Sequence, residues 1–267
     1  MLQLQLETIA ACNARCVFCT YPSMRRPKGR MEDAVFEKIV NDAAEMSMFI
    51  DRIFLQGLGE PLMDKAIVER VHYVRGKFPN AEISIFTNGT LLTPTMSARL
   101  KGAGLSQLVV SLTGTNAEER KGAMGLDDYN TVAMQTDVAR KILPTKVKLI
   151  ASRDLIADMN TTAAAFVERW GQDAMVTWEG NWAGESSKFR GAPHVKACHR
   201  ALEQLMFLWD GTMALCCFDG EGHMTFGNVK DKTVLELWEG PERTRVREQH
   251  LSGKRAEIDL CRNCTGI

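Results

Sequence analysis

"ACNARCVFC", residues 11–19, packs Cys12, Cys16 and Cys19 into one short loop. Just before it, Leu2, Leu4 and Leu6 alternate with Gln3 and Gln5, a period of two that predicts a β-strand. The cysteine loop therefore leaves the carboxyl end of a strand. A closed zinc site takes four ligands, so the trio is one short. The nearest histidine in sequence, His72, falls in a predicted helix. The Cys-x3-Cys-x2-Cys spacing lets one loop curl round a compact object and present sulfur from three directions. A cubane iron–sulfur cluster takes four cysteines, one per iron, so three leave one iron open. An open coordination position is what separates catalytic metal sites from structural ones.

Outward from this loop, strand-like and helix-like segments alternate. In residues 31–46, Val35, Phe36, Ile39, Val40, Ala43 and Met46 share one helical face. The apolar run 52–56 stops at Gly57 and reads as a buried strand; residues 63–78 read as a helix closed by Pro79-Asn80. A third strand covers 82–89. A helix follows with Thr93 as N-cap, Pro94 at its first position and Gly102 or Gly104 at its end. A fourth strand spans 106–114, then come a helix near 129–141, a strand at 145–152, a helix near 160–170 and a strand at 174–180. Repeated βα units require crossover connections and hence a parallel sheet with helices outside it. Six units are too few for a full eight-unit barrel. The fold expected is α/β, a partial (β/α)6 TIM-like barrel or an open doubly wound sheet, with active residues at the carboxyl strand ends.

The rhythm changes near residue 184, where a polar Gly/Pro-containing connector begins. "LMFLWDGTMALCCF" (205–218) then reads as two strands joined by Asp210-Gly211, a hairpin signal, and 233–251 as helix interrupted at Gly240-Pro241. Domains are expected at 1–184 and 185–267, the second a small hairpin-plus-helix unit.

The 33 basic and 33 acidic residues cancel, which argues against nucleic acid or anionic membrane as the main partner. No stretch approaches the roughly 20 apolar residues of a membrane span. The first residues lack the basic and apolar regions of a signal peptide. A cytoplasmic location with reduced thiols is expected. Eight cysteines there point to metal binding or catalysis rather than cross-links.

Four motifs at successive strand ends carry a resemblance. "CNARCVFC" matches the Cys-x3-Cys-x-aromatic-Cys signature of the radical S-adenosylmethionine (SAM) enzymes, with Phe18 as the aromatic residue. "GLGEP" (57–61) resembles that family's GGEP motif, with Leu58 in place of the second glycine. "TNG" (87–89) and "SLTG" (111–114) resemble its third and fourth strand ends, with Thr113 where an aspartate is more usual. Each of the later three alone reads as a plain turn or strand end. Their order is what is specific. The resemblance implies a [4Fe–4S] cluster on Cys12, Cys16 and Cys19 whose open iron chelates SAM, and radical chemistry started by its reductive cleavage. It further implies that Gly57, Gly59 and Glu60 meet the methionine amino group. Thr87, Asn88 and Ser111 would line the cofactor, Phe18 would lie near the adenine, and Arg120 or Lys121 would pair with the carboxylate.

The remaining cysteines are Cys198, Cys216, Cys217, Cys261 and Cys264. Cys-x2-Cys near the end is a metal knuckle, and a zinc ribbon is its plain structural reading. The stretch from Cys198 to Cys264 also resembles the SPASM/Twitch extension of radical SAM enzymes, in layout closest to the 2-deoxy-scyllo-inosamine dehydrogenase-like Twitch enzymes. That implies a second, auxiliary [4Fe–4S] cluster with four ligands, Cys198, Cys216, Cys261 and Cys264. Cys217 is left over. It is either a buried apolar thiol or a hydrogen-atom donor, and a turn away from Cys216 argues against the donor role.

A fully ligated second cluster suits electron transfer, so a net oxidation of the alcohol dehydrogenation type is expected, with Arg153 and Glu179 as candidate proton acceptors. Trp178 and Trp182 could wall a pocket, and Trp170 reads as core. Only eleven residues precede Cys12, which favours a sugar or cyclitol substrate over a leader-guided peptide. A flavodoxin- or ferredoxin-type electron donor is implied. The other readings are a peptide maturase that crosslinks or epimerises with Cys217 as donor, a structural zinc protein, and an electron carrier.

Overall fold

The structure is a computed structural model and describes residues 1–151, 159–186 and 192–266. Six parallel strands follow the alternating rhythm: β1 (Leu2–Leu6), β2 (Ile50–Leu55), β3 (Glu82–Thr87), β4 (Gln107–Ser111), β5 (Thr145–Ala151) and β6 (Ala174–Trp178). The connecting helices are α1 (Asp33–Ala44), α2 (Ile67–Lys77), α3 (Pro94–Gly102), α4 (Ala117–Met124), α5 (Tyr129–Ile142) and α6 (Met159–Trp170). Beyond residue 192 come α7 (His199–Glu203), β7 (Gln204–Phe207), β8 (Thr212–Ala214), β9 (Thr225–Asn228), α8 (Val234–Trp238), α9 (Pro241–Leu251) and α10 (Asp259–Arg262). Among the described residues no helix is long and apolar enough to cross a membrane.

The nine strands among the described residues form one sheet in the order β6-β5-β4-β3-β2-β1-β7-β8-β9. It is open, mostly parallel, and curled in the manner of a partial TIM-like barrel. The Asp210-Gly211 hairpin forms with Gly211 at φ +91° and joins β7 to β8 antiparallel. Its first strand pairs in parallel with β1, from Gln3 opposite Gln204 to Leu6 opposite Phe207.

Side-chain alternation sets the two faces of the sheet. Leu4, Leu6, Ile53, Leu55, Ile83, Ile85, Val147 and Leu149 are buried in the main core, which α1, with Val35, Phe36, Ile39, Val40 and Ala43, and α2 help to cover. Trp170 is buried there too. The opposite face carries Gln3, Gln5, Phe54, Phe86 and Lys148 into a cavity. Thr93 caps α3 by accepting the Met96 N–H at 3.0 Å, with Pro94 first in the helix. The turn-forming Gly104, at φ +93°, lies two residues past the helix end. α4, which periodicity does not reveal, is started by Asn116, whose side chain accepts the Glu119 N–H at 2.9 Å.

Candidate functional site

A cavity of about 440 Å³ opens at the carboxyl ends of the strands. Cys12, Cys16, Phe18 and Cys19 reach it from the loop after β1, and Gly57, Gly59 and Glu60 from the turn after β2. Thr87 and Asn88 border it at the end of β3, Ser111 at the end of β4, Glu179 just past β6, and Cys217 past β8. Trp178 and Trp182 are in its wall. Arg153 lies outside the described residues. A larger open groove, of about 620 Å³, lies between α1 and α2 and carries none of these groups.

The turn after β2 is locked from both sides. Glu60 is buried; its Oε1 accepts the Thr87 hydroxyl at 2.6 Å and the Leu62 N–H at 3.0 Å, and its Oε2 accepts the Asn88 N–H at 2.7 Å. Burial pushes its carboxyl up from the usual range, against the pull of those donors. Both glycines stand where a side chain would clash, Gly59 against backbone and Gly57 against the Glu7 side chain. A Cβ on Gly59 would sit 2.0 Å from the Ile9 carbonyl oxygen, and one on Gly57 would sit 2.3 Å from the Glu7 side chain. The close approach is to the chain's own β1 exit. Thr113 leaves β4 at φ +43°, a region β-branched residues rarely enter.

Arg120 does not line the cavity. It is fully buried, pairs with Asp128 at 2.7 Å, and donates to the carbonyls of Asn88 (2.8 Å), Leu112 (3.0 Å) and Ser111 (3.2 Å). These bonds tie the β3 and β4 ends together and commit the guanidinium to groups of the chain itself. Lys121, the alternative, is exposed and paired with Asp127 at 2.8 Å.

The three loop cysteines converge. Burial, then the neighbouring Cys19 and Cys12, pushes the Cys16 thiol up. Burial pushes Cys19 up to about 11 and also raises Cys12. Crowded thiols that resist ionising are what a bound cation reverses, because coordination takes the thiolate form. Cys198, Cys216, Cys261 and Cys264 line a second, small pocket. Burial raises Cys216 and pushes Cys261 up to about 12. Among the described residues no three His, Cys, Asp or Glu side chains stand close enough to hold a single metal ion. A zinc knuckle gathers its ligands on one ion, whereas a cubane spreads its cysteines over separate irons.

Cys216 and Cys217 face different cavities although both lie past β8, Cys216 toward the quartet and Cys217 toward the main cavity. Facing away from the quartet therefore does not remove Cys217 from the reaction space. Arg200 and Phe218 border both cavities, with the guanidinium 4.6 Å from the ring centroid. Trp182 donates its indole N–H to the Phe18 carbonyl at 2.7 Å and meets Phe218 with centroids 5.4 Å apart. One aromatic contact thus joins the first cysteine loop to the second.

Sequence reasoning missed the polar lumen. Gln204 donates to Gln5 at 2.9 Å, Gln5 donates to the Gln56 carbonyl at 3.1 Å, and the Cys217 N–H donates to Gln204 at 2.8 Å. Lys148 also lines the cavity, its pKa lowered by burial and then by Arg200. The signal was present: Lys148 alternates with Val147 and Leu149, and a lysine on the inner face of a closed α/β layer implies a cavity.

The model of the Radical SAM superfamily matches residues 6–149, and that of the SPASM iron–sulfur cluster-binding domain matches residues 198–265. The S-adenosyl-L-methionine-dependent 2-deoxy-scyllo-inosamine dehydrogenase of Niallia circulans is 22% identical over 265 residues, 99% of this chain and 92% of that protein. A probable GTP 3′,8-cyclase of Thermoplasma volcanium is 27% identical over 194 residues, 70% of this chain but 57% of the cyclase. The crystal structure of BtrN with AdoMet and 2-DOIA superposes with a TM-score of 0.74 at 20% identity, covering 100% of this chain and 94% of BtrN.

Proposed function

This chain belongs to the radical SAM superfamily, and from that premise we propose that it oxidises a small polyhydroxylated substrate, a sugar or cyclitol, by removing one hydrogen atom, one proton and one electron. Cys12, Cys16 and Cys19 would hold a [4Fe–4S] cluster with one iron free for SAM, and Cys198, Cys216, Cys261 and Cys264 an auxiliary one. When bound and reduced by a flavodoxin- or ferredoxin-type donor, the first would supply the reductive cleavage of SAM that starts hydrogen abstraction, and the second would supply an acceptor for the remaining electron. The chain's own residues shape the space around these groups. The Gly57–Pro61 turn, Thr87, Asn88 and Ser111 would border SAM, Phe18 would lie near its adenine, and Arg120 holds the β3 and β4 ends in place. Glu179 accepts the substrate proton, the role for which Arg153 is the other candidate. Lys148, Gln5 and Gln204 offer the polar contacts that hydroxyl groups need once desolvated.

One observation carries the reading. A single cavity runs from the cysteine trio to Arg200 and Phe218, which also wall the pocket of the quartet. A substrate lying in it is within reach of both iron centres. The Niallia relative, aligned over nearly its whole length, is a dehydrogenase by name.

The second reading, peptide maturation by crosslinking or by epimerisation with Cys217 as donor, is favoured by the place of that thiol in the cavity. Anaerobically prepared protein is expected to hold about eight irons per chain, two cubanes' worth. With a C-deuterated aminocyclitol it should yield deuterated 5′-deoxyadenosine and a product lacking two hydrogens, and Cys217→Ala should retain that product. A product of unchanged mass that gains solvent deuterium, and is lost in Cys217→Ala, refutes oxidation in favour of epimerisation.

A further inference from the structure

The two cysteine sets stand in different electrostatic surroundings. At the trio, the fixed charges that bear on the sulfurs are Arg120 on Cys16 and Glu60 on Cys12, one of each sign. At the quartet the balance is cationic. Arg200 and Arg255 line the pocket itself. The charge of Arg200 acts first on Cys217 in the main cavity and then on Cys198 and Cys216, that of Arg255 on Cys261, and that of Arg243 on Cys216 and Cys261. Asp219 is the acid that bears on Cys216; its carboxylate is held by the N–H groups of His223 at 2.8 Å and Met224 at 2.9 Å.

Two of these arginines are buried without full satisfaction. Arg243 is 0% exposed and Arg255 3%. Arg243 donates one bond to the Gln204 carbonyl at 3.0 Å and stacks 4.7 Å from the Trp238 ring, yet its Nε and Nη1 find no partner among the described residues. Arg255 donates to the Cys264 carbonyl at 3.2 Å and meets His194 Nδ1 at 2.7 Å, and its Nε has no partner there. A buried guanidinium with idle donors is costly unless an anion offsets it. A cubane carrying four thiolates is such an anion, a dianion when oxidised and a trianion when reduced. Fixed positive charge favours the more negative state, and hydrogen bonds to the sulfurs act in the same direction; both raise a cluster's reduction potential.

We propose that Arg200, Arg243 and Arg255 form a cationic cage that raises the reduction potential of the quartet's cluster and so makes it the electron acceptor for the substrate radical. This rests on the assignment of that cluster in the preceding section. The electron balance closes: the substrate radical loses a proton to the cavity base and an electron to the caged cluster, which passes it on to the flavodoxin- or ferredoxin-type carrier. The three arginines are positioning residues, since they act through the cluster.

The test is an EPR-monitored redox titration of the protein loaded with both clusters. Arg255→Gln and Arg243→Gln should each make reduction of the auxiliary cluster about tenfold harder, a fall of about 59 mV for one electron, and leave the SAM-site cluster unmoved. Arg243→Lys keeps the charge and should hold the original potential. Unmoved potentials in both glutamine variants, or an equal fall in Arg243→Lys, overturn the proposal. Should the glutamine variants lose the second cluster, Arg243→Lys and Arg255→Lys decide: potentials that stay put support the cage, and potentials that fall refute it. A wild-type chain that binds one cluster only overturns the assignment itself, and with it the cage.

Discussion

Gly59→Ala is the sharpest probe of how the site is built. The added Cβ would lie 2.0 Å from the Ile9 oxygen and 2.9 Å from the Ala11 oxygen, where real contacts essentially never fall under 3.0 Å. The segment running into Cys12 must therefore move by about 1 Å. Gly59 is not in the left-handed region, so the clash alone is responsible. The same shift strains the bond from the Glu60 N–H to the Ala11 carbonyl, now 2.8 Å. Overpacking of this kind costs about 1–3 kcal/mol, and a weakened buried hydrogen bond about 1 kcal/mol more. A loss of about 2–4 kcal/mol lowers Tm by roughly 5–15 °C for a chain of this size. Thermal melting by circular dichroism on the iron-free protein reads this directly, before any cofactor enters. Gly76→Ala is the control: it lies inside α2 with nothing within 4 Å of the new methyl, and should gain about 0.5–1 kcal/mol. If Gly59→Ala melts within about 2 °C of the parent and fails only to bind SAM, the glycine serves the ligand and the backbone argument is wrong.

Arg120→Ala strands Asp128 and three carbonyls around a buried hole, and should cost about 3–5 kcal/mol, read as a lower urea midpoint at pH 7; Arg120→Lys should recover less than half, because an ammonium cannot span the same partners. The iron-free protein should lose stability as pH rises. Its Cys19 and Cys261 thiols titrate near 11 and 12 against about 8.5 in the unfolded chain. The native state then binds more protons than the unfolded one, so the stability from these thiols is full below about pH 8.5 and is lost as pH climbs towards 11–12. Urea midpoints at pH 7, 9 and 10 test this. A midpoint that rises with pH, or iron-loaded protein falling as steeply, contradicts it.

The strands were legible because apolar runs and turn residues are local signals. So was the start of α3, because Thr93 and Pro94 act on their own turn. What stayed hidden is non-local. α4 has a mostly polar sequence with little periodicity, and only its Asn116 cap marks it. β9 is half-exposed and begins at a bulge against β8. β7 could be read as a strand, but its neighbour β1 lies some 200 residues away in the chain, and pairing partners at that distance leave no mark on either segment. In the site, the cysteines and strand-end motifs were readable because spacing within a loop constrains chemistry. The commitment of Arg120 to Asp128 and three carbonyls was not legible, because a buried arginine and a ligand-binding one look alike in sequence. Arg243 and Arg255 were invisible for the same reason: nothing in α9 or the turn after it says that their charges bear on the quartet's cysteines.

β1 is flanked by β2 on one side and β7 on the other, and this has a consequence for engineering. The C-terminal cysteines cannot be exchanged between relatives like a plug. Deleting them with β7 would bare a row of N–H and C=O groups beside the first cysteine loop, an invitation to foreign strands. Grafting them back one rung out of step would turn Gln204 from the lumen to the outside and displace one cysteine set against the other by about 3.3 Å. The hydrogen-bond ladder between β1 and β7 is thus the ruler that gauges the gap between the two cysteine sets.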